Sequence, residues 1–369
     1  MPRKNRSKST HIELTVDDAQ LIKEVKKFKT QTTCFFNNKG GVGKTTLVAN
    51  LGAELSINFG AKVLVVDADP QCNLTQYVLT ETETQKLYSQ DNPDSIYTVI
   101  RPLSLGKGYE SELPIRNVEN FGFDIIVGDP RLALQEDLLA GDWRDAKGGG
   151  MRGIRTTYVF AELVKKAREL NYDFVFFDMG PSLGAINRAV LLAMEFFVVP
   201  MSIDVFSLWA IKNIGSTVSI WKKELDTGIR LSEEPSEILE LSPQGKLKFL
   251  GYVTQQHKER SGYDTVHLEN TEEIKTKRRV QAYEDIGESF PSKITEYLSK
   301  LYAERSMNPH LGDIRHLGSL APKSQSQHVP MISVSGTGNY TRLRKSAREL
   351  YRDIARRYLE NIKKANDGK

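Results

Sequence analysis

The sequence predicts an α/β protein whose mostly parallel central sheet carries helices on both faces. Three features of the 369-residue chain lead to this prediction. Continuous apolar runs, rich in β-branched and aromatic residues, are typical of parallel strands that are buried on both faces. Helical patterns separate these runs, and strands that alternate with helices are joined by crossover connections. Some runs end in an aspartate or a glycine-rich turn, at the edge where such sheets bind ligands.

The predicted strands and helices alternate from residue 32 onward. Strands are predicted at residues 32–37, 62–67, 123–127, 172–178, 196–200 and 247–253. The first helix of the sheet domain runs to about residue 59, and Gly60 ends it because glycine readily adopts the left-handed conformation of helix C-termini. A later helix is predicted at about 155–170, and the glycine-rich stretch 147–153 before it is expected to be a mobile loop.

The stretch from Asn38 to Thr46, Asn-Lys-Gly-Gly-Val-Gly-Lys-Thr-Thr, lies between the first strand and that helix and predicts a phosphate cradle. Its glycines let backbone N–H groups surround phosphate oxygens, and the new helix adds its positive N-terminal end. Lys44 can reach the β- and γ-phosphates, and the Thr45 hydroxyl can ligate Mg²⁺. The predicted nucleotide-binding residues of this P-loop are Lys39, Gly40, Gly41, Val42, Gly43, Lys44, Thr45 and Thr46.

A second lysine, Lys39, lies inside the loop, and Asn38 stands where the usual P-loop pattern has glycine. A lysine at this position can reach a nucleotide in a facing subunit and neutralise charge that develops in the transition state. The run KGGVGKTT resembles the deviant Walker-A ATPases of the ParA/MinD group. The resemblance implies ATP as the nucleotide, a homodimer in the ATP state, and Lys39 as a catalytic residue that acts in trans.

Three aspartates at strand ends accompany the P-loop. Asp178 closes an apolar strand and precedes Met-Gly-Pro-Ser, the place of a Walker-B acid that helps to hold Mg²⁺. The segment 66–73 resembles the switch segment of ParA-like proteins, which implies that Asp67 lies near the metal. By the same resemblance, Asp69 orients the water that attacks the γ-phosphate. The simpler alternatives are a capping aspartate for Asp178 and a solvated Asp-Pro turn for Asp69.

The resemblance covers residues 31–215 and becomes weak after about residue 245. Relatives often carry an adenine-contacting residue in the segment that corresponds to 251–256, so Gln255 or Gln256 is the candidate for contact with the base. Gly180 stands where the family usually has proline. The resemblance thus implies a P-loop ATPase domain over residues 31–339, with polar insertions near 80–120 and 256–315.

Residues 1–30 are predicted to be a polar extension with one short helix capped by Thr15. Residues 340–369 are predicted to form a basic helix that packs on the ATPase domain. The apolar face of that helix contains Leu343, Ala347, Leu350, Tyr351, Ile354, Ala355, Tyr358, Leu359 and Ile362. Its other face carries nine basic residues against three acids. In ParA-like proteins a basic surface near the C-terminus binds DNA non-specifically in the ATP state. A core-packing helix with a solvated face is the alternative.

Composition excludes several other classes. There is no run of about eighteen apolar residues, and the N-terminus lacks the apolar region of a secretory signal. Two cysteines, Cys34 and Cys72, fit a reducing cytoplasm and argue against the nitrogenase-iron-protein branch, which needs cysteines to bind a cluster. The polar C-terminal residues 363–369 argue against a membrane-binding helix of the MinD type. We therefore expect a cytoplasmic protein without membrane contact.

The leading hypothesis is a ParA-like, Mg²⁺-dependent ATPase that forms an ATP-sandwiched homodimer and acts as a nucleotide-timed switch in DNA partition or a related process. A ParB-like or other protein would stimulate it. The second hypothesis is an ATP-gated regulatory or scaffold ATPase that recruits a protein partner without binding DNA, for instance in a defence or mobile-element system. A third, a metabolic P-loop enzyme such as a synthetase, needs an additional substrate pocket that the sequence does not indicate.

Overall fold

The computed structural model describes residues 13–236, 247–255, 289–314 and 317–367. Eight strands in these described ranges form one sheet. They are β1 (Gln31–Phe35), β2 (Val63–Ala68), β3 (Ile115–Val118), β4 (Phe123–Ile126), β5 (Phe174–Met179), β6 (Phe196–Ser202), β7 (Lys248–Gln255) and β8 (His310–Ile314). The strand order is β3-β4-β2-β5-β1-β6-β7-β8, and all neighbours are parallel except the antiparallel pair β3 and β4. The predicted fold class is confirmed.

The central strands are covered on both faces. Every residue of β1, β2, β5 and β6 is buried, as the largely apolar sequences of β2, β5 and β6 predict. Strand β5 lies between β1 and β2, and the register places Asp67 of β2 directly beside Asp178 of β5. The sheet therefore brings both aspartates to the edge where the P-loop follows β1.

The helices of the described ranges pack around this sheet. They are α1 (Val16–Val25), α2 (Lys44–Ile57), α3 (Asn73–Val78), α4 (Glu81–Tyr88), α5 (Ile96–Ser104), α6 (Glu136–Lys147), α7 (Met151–Thr157), α8 (Val159–Glu169), α9 (Ala185–Ala193), α10 (Val205–Leu231), α11 (289–298), α12 (Leu320–Gln327) and α13 (Asn339–Asp367). Helix α2 ends before Gly60, which has the predicted left-handed conformation with φ of +64°. In the described ranges, no helix has the length and apolar character needed to cross a membrane.

The terminal helices α1 and α13 pack against each other. Thr15 caps α1, since its hydroxyl accepts the backbone N–H of Asp18 at 3.1 Å. Asp18 is fully buried and pairs with Arg356 at 2.7 Å and with Arg352 at 3.6 Å. Arg352 also donates to Glu54 of α2 at 2.6 Å. Arg352 is one of the nine basic residues that the sequence pattern places on the face opposite the apolar one, but it is buried, and two carboxylates compensate for the cost of burying its charge.

The glycine-rich stretch 147–153 is not the mobile loop that its composition suggests. It contains the short turn between α6 and α7, and that turn packs against α10. Gly149 has φ of +90°, and a side chain there would lie 2.8 Å from the backbone of Leu231. A side chain at Gly228 of α10 would collide with the carbonyl group of Ala146. Close packing of helices, rather than mobility, thus accounts for these glycines.

Both predicted insertions contain strands of the central sheet. Region 80–120 includes α4, α5 and the edge strand β3, and Ile96 of α5 is fully buried. In region 256–315, residues 256–288 lie outside the described residues, and the remainder includes α11 and the edge strand β8. The sequence prediction missed β3 and β8 because edge strands lack the long apolar runs of central strands.

Candidate nucleotide-binding site

The P-loop is anchored by an asparagine that precedes it. The Nδ2 of Asn37 donates to the carbonyl of Pro200 in β6 at 2.8 Å, and its Oδ1 accepts the backbone N–H of Lys39 at 2.9 Å. Gly41 and Gly43 have φ of +72° and +75°, where glycine is not strained. The loop then enters α2, so its backbone N–H groups and the helix N-terminus favour an anionic ligand.

The Lys44 ammonium is buried at the centre of this loop. It donates to the carbonyls of Asn37 and Lys39, both at 3.2 Å. Burial lowers the pKa of Lys44, while the carboxylates of Asp178 and Asp69 act in the opposite direction. Because a buried cation gains from a nearby anion, Lys44 is well placed to bind a phosphate group.

Thr45 and Asp178 form the centre of a candidate metal site. The Thr45 hydroxyl donates to Oδ2 of Asp178 at 2.6 Å, whereas the buried Oδ1 of Asp178 has no hydrogen-bond partner among the described residues. Burial, followed by repulsion from Asp67, raises the pKa of Asp178 to about 8. Hydroxyl and carboxylate oxygens are ligands that Mg²⁺ prefers, and a cation would stabilise the ionised carboxylate. The residues therefore fit Mg²⁺.

Asp67 is the second carboxylate of the candidate metal site. Its Oδ2 accepts the backbone N–H of Thr75 at 2.8 Å and the hydroxyl of Thr75 at 2.6 Å. The Thr75 oxygen accepts the backbone N–H of Gly128, which follows β4, at 2.8 Å. Burial raises the pKa of Asp67 to about 6. These contacts hold Asp67 beside Asp178 in the register that the sheet imposes.

Asp69 follows β2 and is only 7 % exposed, which does not fit a solvated turn. Its Oδ1 accepts the backbone N–H of Gln71 at 3.0 Å. A Cβ atom at Gly180 would lie 3.2 Å from Oδ1 of Asp69, so the glycine that replaces the usual proline permits a close approach. Asp69 thus lies beside the loop that follows Asp178.

That loop is fixed by two side chains that no motif predicts. The Nδ2 of Asn187 in α9 donates to the carbonyls of Gly180 at 2.8 Å and Ser182 at 2.7 Å. Glu136 of α6 accepts hydrogen bonds from the first two backbone N–H groups of α9. The position of the loop relative to Asp178 therefore depends on α6 and α9.

A cleft of about 710 Å³ joins the P-loop residues 40–46, Asp69 and Gln255, a size within the roughly 300–1,000 Å³ range of ligand sites. Gln255 ends β7 and packs against Gly43, since its Oε1 would lie 2.5 Å from a Cβ atom there. The same Oε1 is buried and has no hydrogen-bond partner in the described part of the chain. Most of the predicted nucleotide-binding residues therefore meet in one cleft.

Comparison with known proteins is consistent with this geometry. A family model described as an AAA domain matches residues 30–231, which is more than half of the chain. The sporulation initiation inhibitor protein Soj of Bacillus subtilis is 30% identical over 53% of this chain and 67% of Soj. The virulence plasmid ParA family protein pGP5-D of Chlamydia psittaci is 28% identical over 53% of this chain and 66% of its own length. The chain belongs to this family of ParA-like P-loop ATPases.

The similarity to solved structures extends beyond the matched domain. Protein DIP2308 from Corynebacterium diphtheriae has a TM-score of 0.61 and 30% sequence identity, with 81% of this chain and 97% of DIP2308 covered. Residues 1–231 make up less than two thirds of the chain, whereas the match to DIP2308 covers 81% of it. The fold that this ParA-like ATPase shares with DIP2308 therefore includes elements after residue 231.

In this ParA-like ATPase, Lys39 forms an ion pair with Asp204 of its own chain, and about a third of the lysine side chain is exposed. Asp204 also caps α10, where it accepts the backbone N–H of Ser207 at 3.0 Å. Burial of Asp204 opposes ionisation, but hydrogen bonds, first that from Lys39, lower its pKa. The ion pair holds Lys39 at the start of α10, whereas the nucleotide cleft is lined by the P-loop residues that follow it.

Most basic side chains of α13 pair with oxygen atoms of the ParA-like ATPase itself. Six of the nine predicted basic residues lie within 3.2 Å of carbonyl or carboxylate oxygens of the chain, namely Arg344, Arg348, Arg352, Arg356, Lys363 and Lys364. Arg342 and Lys345 are exposed near the start of the helix, and Arg357 is half-buried further along. The basic surface is therefore smaller than the sequence pattern predicts.

Proposed function

We propose that this chain is a Mg²⁺-dependent ATPase that forms an ATP-sandwiched homodimer and serves as a nucleotide-timed switch. The arrangement around Asp178 carries the proposal. Its carboxylate accepts the Thr45 hydroxyl on one oxygen, leaves the other oxygen for a cation, and lies near the Lys44 ammonium. Hydroxyl, carboxylate and ammonium groups at the start of a P-loop helix are the groups that bind Mg²⁺ and a nucleoside triphosphate.

The groups of the cleft have separate tasks in this reaction. The P-loop N–H groups and Lys44 bind the phosphates, while Thr45, Asp67 and Asp178 hold Mg²⁺. When bound, the metal neutralises charge on the β- and γ-phosphate oxygens. Asp69 orients a water molecule for in-line attack on the γ-phosphorus, so the protein contributes mainly positioning and charge stabilisation.

In the proposed dimer, Lys39 from each subunit contacts the phosphates bound by the other subunit. This contact requires that Lys39 leave Asp204, so the ion pair belongs to the state that lacks a facing nucleotide. Hydrolysis removes the γ-phosphate and with it part of the charge that attracts Lys39. Dissociation of the dimer then ends the signal that ATP binding began.

We assign this switch to DNA partition or a related DNA-associated process, with a ParB-like or other protein as stimulator. The similarity to ParA-like proteins supports the assignment. Arg342, Lys345 and Arg357 supply cations for phosphate contacts, which are independent of sequence and sensitive to salt. Gln255 is assigned to the nucleotide because its Oε1, which has no hydrogen-bond partner among the described residues, lies beside the P-loop.

The second candidate is an ATP-gated scaffold that recruits a protein partner without binding DNA. The internal use of six basic residues on α13 favours it. So do two exposed aromatic residues at the start of α10, Phe206 at 76% and Trp209 at 57% exposure. Exposed aromatic side chains of this kind are typical of protein–protein contacts.

An Asp69→Ala variant tests both candidates, because it should bind ATP without hydrolysing it. Its mass is measured by light scattering, and its DNA binding by fluorescence anisotropy, with Mg²⁺-ATP and with Mg²⁺-ADP. An ATP-dependent dimer that binds DNA less tightly at higher salt supports the partition function. An ATP-dependent dimer without DNA binding supports the scaffold. A monomer under all conditions contradicts the proposed switch.

A further inference from the structure

Helix α12, which the sequence pattern does not predict, borders the cleft through one residue. Gln325 of α12 lines the same cleft as the P-loop. Asp178, which is proposed to hold the metal, and Asp69, which is proposed to orient the attacking water, lie near Lys44. We propose that Gln325 contacts the edge of the nucleobase and makes the cleft selective for adenine over guanine. This inference rests on the nucleotide binding proposed above.

A chain of hydrogen bonds fixes α12 relative to the P-loop helix α2. Asn50 of α2 donates to the carbonyl of Thr46 at 2.8 Å and to the hydroxyl of Tyr77 at 3.1 Å. The Tyr77 hydroxyl is 2.6 Å from the hydroxyl of Ser324, which is fully buried. Since Ser324 immediately precedes Gln325, the position of Gln325 is set by contacts that begin at the last residue of the P-loop.

The hydrogen bonds that lead to α12 do not involve the candidate metal-binding groups. Lys44 and Thr45 serve the β- and γ-phosphates and the metal. The hydrogen bonds that lead to α12 start at Thr46 and end at Ser324, whereas the loop that follows Asp178 is held by Asn187 of α9. In the proposed complex, the phosphates lie at Lys44 and the base lies against Gln325.

The amide of Gln325 is suited to adenine. Gln325 is exposed in the cleft, so its amide is accessible to a ligand. By comparison, the amide of Gln76, which also lines the cleft, donates to the carbonyl of Gln71 at 3.2 Å. A glutamine amide offers one donor and one acceptor side by side, which match N7 and the N6 amino group of adenine. Guanine presents two acceptors, N7 and O6, at the same edge and leaves the amide oxygen unpaired.

Titration calorimetry of Gln325→Ala and Gln325→Lys tests the inference, with ATP, ADP, GTP and inorganic triphosphate as ligands. Gln325→Ala should weaken ATP and ADP binding about 3- to 10-fold, the effect of one or two lost hydrogen bonds. Binding of GTP and triphosphate should stay the same. Gln325→Lys should shift the preference further toward GTP, because lysine donates to N7 and O6 of guanine.

Gln327→Ala is the matched control on the same helix, because the Gln327 amide bonds to Ser335 rather than lining the cleft. A similar loss of ATP binding in this variant would show that disruption of α12 is the cause and would overturn the inference. An unchanged ATP/GTP ratio in both Gln325 variants would overturn it as well. Failure of the wild-type protein to bind ATP at all would instead contradict the proposed function.

Discussion

The Lys39 ammonium and the Asp204 carboxylate form an ion pair that joins the P-loop to the start of α10 within one chain. Both side chains are partly exposed, at 32% and 21%, so solvent limits the strength of the pair. A partly exposed pair is strong enough to bias the position of Lys39 and weak enough to be replaced by a phosphate. We therefore expect it to oppose dimerisation modestly.

Replacing Asp204 by asparagine should strengthen ATP-dependent dimerisation. The change removes the charge that holds Lys39, while asparagine remains a good N-cap for α10. Because each dimer breaks two such pairs, and an exposed pair contributes roughly 0.2–1 kcal/mol, the expected gain in the dimer association constant is about 2- to 30-fold. Sedimentation equilibrium in the Asp69→Ala background measures it. Weaker dimerisation would show that Asp204 supports the dimer interface directly.

The two P-loop lysines should give different phenotypes. Lys44→Ala removes a buried cation from the phosphate site, so calorimetry should show a loss of ATP binding. Lys39→Ala should retain ATP binding and the fold but lose ATP-dependent dimerisation, because its proposed role is in trans. Unchanged dimerisation of Lys39→Ala, measured by light scattering, would refute that role.

Replacing Asn187 by alanine should lower the rate of hydrolysis with little effect on ATP binding. The variant loses the hydrogen bonds to Gly180 and Ser182 that fix the loop beside Asp69. Misplacement of an attacking water typically costs an order of magnitude or more in rate, so kcat should fall about 10-fold. Steady-state kinetics that show an increased KM with an unchanged kcat would contradict this positioning role.

The metal-free protein should become less stable as pH rises from about 5 to 8. The pKa of Asp178 is raised to about 8 by burial, against about 4 in an unfolded chain. Between these values the folded state retains a proton that the unfolded state has released. Its contribution to the free energy of unfolding therefore falls as pH rises, by up to about 1.4 kcal/mol per pH unit.

Urea unfolding in the presence of a chelator checks this prediction, with Asp178→Asn as the control that cannot titrate. The stability of the wild type relative to the variant should decline across this pH range. A parallel pH dependence of the two proteins would show that Asp178 is ionised in the folded protein without metal.

Much of the candidate nucleotide site could be predicted because its chemistry is contained in short runs of sequence. Lys44 and Thr45 follow from the P-loop, and Asp67 and Asp178 from apolar strands that end in a carboxylate. The residues that position them, such as Thr75, could not be predicted in this way. They are ordinary polar residues on helices, and their roles arise only when the fold brings distant segments together.

Replacing Arg352 by alanine should strongly destabilise the fold. The residue is buried and bonded to Glu54 at 2.6 Å, with Asp18 at 3.6 Å, and both carboxylates are fully buried. Removal of the guanidinium leaves these acids without their shared cation, and breaking a buried pair in this way costs about 3–5 kcal/mol. Lys345→Ala, on the exposed face of α13, should change the free energy of unfolding by less than about 0.5 kcal/mol. Urea unfolding of both variants distinguishes the two sites, and a small effect of Arg352→Ala would show that solvent reaches the contact between α1, α2 and α13.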